Sequence, residues 1–279
     1  HIQHSGRGDG GSSGTSYQFK VDNTEIEAEV ITQPYVPPVT YDLRFQSILG
    51  NAVGGAGLSF DGTNDYVSGS GLDLQNDMTI SAWVKPVENG DDGNYHVIAT
   101  KRDTGGNSVW QLDLTTDGTD GRLQFYRSGG GSTTNVYSDS VVQKDVWSHV
   151  VLTSIDDKVT FYINGVQDGE HTVTKPDAWA GGSGQDWYIG GRGNTNSEWF
   201  EGAIDEFSVW DYGLDYFAVE TLYNQGNGRD PSTLQNFVQN NVKPVTYYNL
   251  DDGGATNQYP PDLTVYNVCE DISGNGCTV

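Results

Sequence analysis

Met78-Thr79-Ile80-Ser81-Ala82-Trp83-Val84-Lys85 sets Met78, Ile80, Ala82 and Val84 on one side of an extended chain and Thr79, Ser81, Trp83 and Lys85 on the other. Successive side chains of a strand point to opposite faces, so this period of two reads as a β-strand with one face against a core. The same reading extends outward in both directions. Residues 56–60 and 65–68 flank the turn Asp61-Gly62-Thr63-Asn64, and in 109–114 Trp110, Leu112 and Leu114 oppose Gln111 and Asp113. Residues 121–127, 147–154, 158–164, 187–190 and 203–210 continue the series, parted by turns such as Asp117-Gly118, Asn164-Gly165 and Asp168-Gly169. Residues 212–224 are the one short stretch that reads as helix. Many short strands and a single helix predict an all-β protein, a two-sheet antiparallel β-sandwich of the jelly-roll kind.

Composition agrees. Gly at 37 residues supplies the turns, while 16 Tyr and 7 Trp supply buried area that a modest 35% hydrophobic content would otherwise lack. The formal net charge is −24, from 38 acidic against 14 basic residues. Nucleic acid and anionic membrane surfaces are therefore electrostatically disfavoured partners. No apolar run is long enough to cross a membrane as a helix, so membrane insertion is not expected. Much of the acid lies in loops (Asp91-Asp92, Asp117, Asp120, Asp156-Asp157, Asp251-Asp252), where a solvated, self-repelling surface accounts for most of it. Divalent-cation binding is the sharper alternative at one or two positions.

The chain divides into a flexible, Gly- and Ser-rich leader at 1–16, a strand extension at 17–40, a sandwich at 41–228 and a C-terminal extension at 229–279. The leader contains Arg7-Gly8-Asp9, a tripeptide that recurs by chance and carries little weight here. In 24–30, Ile26, Ala28 and Val30 alternate with Glu25, Glu27 and Glu29, before Pro34, Pro37 and Pro38 break the pattern. Cys269 and Cys277 make no metal-binding set, and a local disulfide closing a short loop is favoured over two free thiols. That pairing points to an oxidising compartment.

Three ordered stretches resemble the laminin-G-like branch of the concanavalin A-like lectin/glucanase superfamily. They are Leu58-Ser59-Phe60-Asp61-Gly62-Thr63-Asn64-Asp65-Tyr66-Val67 with the strand quoted above, then Trp147-Ser148-His149-Val150-Val151-Leu152-Thr153 with Phe161-Tyr162-Ile163-Asn164-Gly165, then Tyr188-Ile189-Gly190-Gly191-Arg192 with Phe200-Glu201-Gly202-Ala203-Ile204-Asp205-Glu206-Phe207. The tail, with Tyr247-Tyr248-Asn249-Leu250-Asp251-Asp252 and Asp271-Ile272-Ser273-Gly274-Asn275-Gly276, is similar to the segment after the sandwich in virus structural proteins of this type. The last phrase opens repeats elsewhere in the family but ends the chain here, which leaves open whether the tail completes this domain or begins another.

The resemblance implies a structural calcium ion held between the Asp61 turn and the Asp205 strand; the alternative is that Asp61 caps its own turn. Hydrolases of this fold carry Glu-x-Asp-x-x-Glu, which is absent, and adjacent Asp205 and Glu206 face opposite ways. No Gly-x-Ser-x-Gly elbow lies near a His. The chain is therefore expected not to be an enzyme. Trp179, Trp187, Tyr188, Arg192, Asn194 and Trp199 cluster around Gly-rich segments and are the candidate ligand-binding residues, whereas Trp83, Trp110, Trp147 and Trp210 lie within strands and are expected in the core. The expected function is that of an extracellular or virion-surface structural protein, attaching to a glycan or other host-surface receptor beside further surface proteins. By analogy with symmetric fibres it would be a homo-oligomer. The alternative is a carbohydrate-binding accessory module of a secreted polysaccharide-degrading enzyme.

Overall fold

The computed structural model describes residues 15–21, 24–30, 57–74, 77–90, 92–103, 108–115, 121–129, 132–173, 185–192, 198–236, 238, 243–248, 250 and 264–266. The chain forms two compact units, His1–Gln46 and Ser47–Val279. The first holds strands β1 (Thr15–Val21) and β2 (Thr24–Val30), an antiparallel pair running in register from Thr15 opposite Val30 to Val21 opposite Thr24.

In the second unit the strands are β3 (Leu58–Asp61), β4 (Tyr66–Gly69), β5 (Met78–Pro86), β6 (His96–Arg102), β7 (Ser108–Leu114), β8 (Arg122–Gly129) and β9 (Ser132–Val141). There follow β10 (Ser148–Ile155), β11 (Lys158–Ile163), β12 (Val166–Thr172), β13 (Trp187–Ile189), β14 (Glu201–Trp210), β15 (Thr246–Tyr248) and β16 (Thr264–Tyr266). The first sheet has the order β12-β11-β10-β5-β14-β15, with β3 on the other half of the β14 edge; the second has the order β16-β4-β13-β6-β7-β8-β9. All recorded pairings are antiparallel. The two-sheet antiparallel sandwich read from the alternation is the observed fold. Strands β15 and β16, from the C-terminal extension, each join a sheet, so those parts of the tail belong to this sandwich.

The alternation sorts residues as period-two reading requires. Met78, Ile80, Ala82 and Val84 of β5 meet Leu112, Leu114, Leu123, Phe125 and Ile189 of the opposite sheet in one core cluster. Trp187 bridges the layers, stacking on Phe207 at 6.0 Å between ring centres and meeting Tyr248 in a tilted contact at 5.4 Å. Each such side chain, fully buried, contributes about 1.5–3 kcal/mol.

The opposite side of β5 is buried as well, by the helix. Asp215 caps α1 (Tyr216–Tyr223), its Oδ1 accepting from Ala218 N at 2.8 Å, and Asn224 ends it in the left-handed region (φ 48°). Leu214, Ala218, Val219 and Leu222 pack with Val151, Tyr162 and Trp210 in a second apolar cluster. Beside it Trp83, His149 and Tyr223 form a ring stack, and Thr79 Oγ1 accepts from Leu214 N at 2.8 Å. The first sheet is thus covered on both faces, whereas the second sheet keeps half-buried rings and charges at the β4–β13 end of its outer face, where a site is sought.

Candidate functional site on the outer face of the second sheet

Residues directly opposite across an antiparallel ladder share a face. Since Leu112, Leu114, Leu123 and Phe125 face the core, the intervening residues of β7 and β8 face outward. The register then writes one row of side chains across the sheet: Ser68 (β4), Tyr188 (β13), Thr100 (β6), Gln111 (β7), Tyr126 (β8) and Asn135 (β9). A second row runs Val97, Asp113, Gln124 and Tyr137.

At the β4–β13 end, rings gather. Tyr66 lies 5.7 Å from Tyr188 edge to face and 6.0 Å from Trp199 in a stacked pair. All three are half-buried. Two glycines after β13 leave room, Gly191 for Trp199 on this face and Gly190 for Phe60 in the core. A Cβ on Gly191 would stand 2.2 Å from the Trp199 ring, and one on Gly190, where φ is +82°, 2.1 Å from Phe60. Only a residue without a side chain fits either place.

Beside the rings, Arg192 pairs with Glu198 and donates from Nε to Gln111 Oε1 at 3.0 Å. Ser108 Oγ also donates to Gln111 Oε1, at 3.0 Å, and Arg102 donates to Ser108 Oγ at 3.1 Å. Burial lowers the Arg102 pKa, and the neighbouring Arg192 charge adds to that; Glu198 and Asp103 act the other way. Gln111 Nε2 donates to Asp113 Oδ2 at 2.5 Å. Asp113 is 0% exposed, and burial first, with the Glu198 charge adding, pushes its carboxyl up to about 7. The face thus carries half-buried rings next to the half-buried Arg192–Glu198 pair, which Gln111, itself 3% exposed, holds in place from below. Such a surface can stack against the apolar side of a ring-shaped ligand while bonding its hydroxyl groups.

Of the residues singled out in the sequence, Tyr188, Arg192 and Trp199 are brought together here. Trp187 is not: it is 1% exposed, on the core side of β13, with Nε1 donating to Ser70 O at 3.2 Å. Trp179 and Asn194 lie outside the described residues, as do Cys269 and Cys277, Arg7-Gly8-Asp9 and the 271–276 turn. Trp83, Trp110 and Trp210 are buried and Trp147 half-buried. Tyr66, Gln111 and Glu198 were missed. The outward parity of Gln111 was legible in 109–114, whereas Glu198 carries no pattern.

Asp61 and Asp205 do not meet. Asp61 stands opposite Glu201 in the β3–β14 ladder, and Asp205 is four residues further along β14, about 13 Å at the usual rise per residue. Asp61 Oδ1 accepts from Thr63 N at 2.8 Å and Asn64 N at 3.4 Å, the turn-capping geometry, while Asp205 Oδ1 accepts from Glu206 N at 2.8 Å. Calcium ligands lie about 2.3–2.6 Å from the ion, so these two carboxylates do not fit one ion. Among the described residues no group of three His, Cys, Asp or Glu side chains converges as a metal site.

Two facing antiparallel sheets with a polar, ring-bearing outer face define a lectin-like β-sandwich. Residues 61–216, more than half of the chain, match the concanavalin A-like lectin/glucanases superfamily in its laminin-G form, and the chain belongs to it. Among solved structures, it is similar to a native heptameric SAP-like pentraxin from Limulus polyphemus (18% identity, 69% of this chain and 88% of that one, TM-score 0.51). It is also similar to a putative carbohydrate binding protein from Bacteroides ovatus (19% identity, 71% of this chain, TM-score 0.48), of which it spans 52%. A third is domain 4 of an extracellular arabinanase from Geobacillus stearothermophilus in complex with arabinotriose (19% identity, 62% of this chain and 84% of that one, TM-score 0.45). At such identities the likeness is one of fold. No curated protein matches the sequence.

Proposed function

We propose that this chain is a non-enzymatic glycan-binding protein of an extracellular or virion surface, which attaches to host glycans through the outer face of the second sheet. The observation that carries the reading is the Tyr66–Tyr188–Trp199 ring cluster set against the Arg192–Glu198 pair and Gln111. Rings give a sugar its stacking surface, and the half-buried Arg192–Glu198 pair, fixed from below by Gln111, meets its hydroxyls without first having to be ordered. The acidic surface, at net charge −24, argues for neutral rather than anionic glycans.

Catalysis is not part of this reading. Asp113 is sealed from solvent and Glu198 is neutralised by Arg192, so neither stands open as a nucleophile or base.

The test is a glycan array probed with the full chain, the Tyr188→Ala variant and the Trp199→Ala variant. Binding to neutral glycans is expected for the first, with at least tenfold weaker binding for both variants at unchanged far-ultraviolet circular dichroism. Absence of binding, or binding indifferent to both substitutions, removes the assignment. Reducing ends released from the same glycans would remove the non-enzymatic part.

A further inference from the structure

On β7 and β8 the polar network ends on a pair of acceptors with no donor among the described residues. The orientation of Gln111 is settled by its neighbours, because Oε1 accepts from Arg192 Nε and Ser108 Oγ and Nε2 must then donate, which it does to Asp113 Oδ2. Gln124 Nε2 donates to Asn135 Oδ1 at 2.6 Å. What remains is Asp113 Oδ1 and Gln124 Oε1, both buried, neither meeting a donor among the described residues. The two residues are direct partners across β7 and β8 and share the outward face. An ionised carboxylate there would be a buried charge set against another acceptor. A proton on Asp113 would supply the donor that this cross-strand pair lacks.

We propose that Asp113 is a positioning residue of the outer face, a neutral acid whose Oδ1–H donates to Gln124 Oε1 while Oδ2 accepts from Gln111, so that Gln111 and through it Arg192 are locked beside the rings. The assignment of a glycan to this face rests on the reading above; the proton on Asp113 does not.

The groups facing Asp113 support this balance. On its own strand Gln111 stabilises the anion; Arg192, from the segment after β13, does so too, and Glu198 opposes it. From β6 the partner is Val97, and beyond Gln124 stands Tyr137 of β9 with the Arg122 guanidinium 4.8 Å over its ring. Burial outweighs the stabilising contacts and moves the carboxyl to about 7.

The experiment follows the Asp113 side-chain carboxyl by carbon-13 NMR in the native chain between pH 4 and pH 9, alongside Asp113→Asn and Asp113→Leu. Asn offers the same acceptor to Gln111 and the same donor to Gln124. The carboxyl signal should keep its protonated position until about pH 7; an ionised signal already at pH 5 overturns the proposal. An unfolded Asp ionises near pH ~3.9, so the native form holds a proton that the unfolded one has lost between there and pH 7. The native melting temperature should accordingly fall relative to that of Asp113→Asn as pH rises from about 4 to 7, and run parallel above. A difference flat over that range overturns it as well. Arg192 Nε–H exchange should be slow in the native and Asn forms and at least tenfold faster in Asp113→Leu; equal exchange in all three overturns the positioning role. None of these readouts needs a glycan, so a failed array and a failed proton stay distinct.

Discussion

Asp61 shows how a single side chain can be read in two ways that the sequence alone does not separate. Asp-Gly-Thr-Asn suits either a cation ligand or a turn cap, because both want a carboxylate beside exposed backbone. The geometry assigns it to the Thr63 and Asn64 amides. Asp61→Asn keeps the accepting oxygen and should change unfolding free energy little, whereas Asp61→Ala should lose about 1 kcal/mol in urea denaturation. Part of the proposed face was legible in Tyr188, Arg192 and Trp199, because rings and a guanidinium lie close in sequence beside Gly190 and Gly191. Trp187 was misread for a strand reason: adjacent residues of β13 face opposite ways, and nothing local says which of Trp187 and Tyr188 is outward. His149 carries the pH prediction of this scale. Buried against Trp83 and Tyr223 and bonded to Ser81 Oγ at 2.9 Å, it is driven by burial down to about 3. A folded pKa below the unfolded ~6.5 means that only the unfolded chain takes up this proton between the two values. The contribution is complete above pH ~6.5 and is lost on acidification, at about 1.4 kcal/mol per pH unit. His149→Gln should therefore lose less stability between pH 7 and pH 5 than the native chain in urea titrations, and an equal loss refutes this.

At the scale of elements, strands whose large apolar residues fall at every second position were legible even where both faces are buried, and the exceptions have physical causes. β6 (His96–Arg102) is buried on both sides and sets Val97, Ile98 and Ala99 beside buried His96, Thr100 and Lys101, so no period of two marks it. β9 (Ser132–Val141) and β12 (Val166–Thr172) are sheet edges rich in polar residues, and β12 has no buried position at all, so no hydrophobic period marks them. The helix was placed near 212–224, but its task was not evident: it seals the outer face of the first sheet. Leu222 and Val219 do this by packing on Val151 and Trp210. Leu222→Ala should cost about 2–5 kcal/mol, the usual range for a buried leucine truncated to alanine. Asp215→Ala, which removes the cap, should cost about 1 kcal/mol. Chemical denaturation of both variants checks the ordering; a larger loss from the cap would mean that α1 is held by its own hydrogen bonds rather than by the sheet.

For the whole molecule the decisive quantity is charge. With 38 acidic and 14 basic residues, at least 24 carboxylates have no basic side chain to pair with, however the ion pairs are arranged. Surface pairs such as Lys144 with Glu88, at 2.6 Å, contribute only about 0–1 kcal/mol each, and salt weakens them. Mutual repulsion among the remaining acids acts on every part of the surface and is weakened by the same salt, which shortens the screening length from about 30 Å at 0.01 M to about 8 Å at 0.15 M. The two effects have opposite signs, and the excess of acid decides between them. Raising sodium chloride from 0.01 M to 0.3 M at pH 7 should raise the melting temperature by several degrees in scanning calorimetry, and potassium chloride should do the same because screening depends on ionic strength rather than on which monovalent cation supplies it. A melting temperature that falls with salt would show that paired charges, not unpaired acids, dominate the surface energetics. The same screening should leave neutral-glycan affinity nearly constant on the ring-bearing face, since stacking and hydroxyl bonds carry no net charge, whereas a glycan that binds through its own charge would respond steeply to salt.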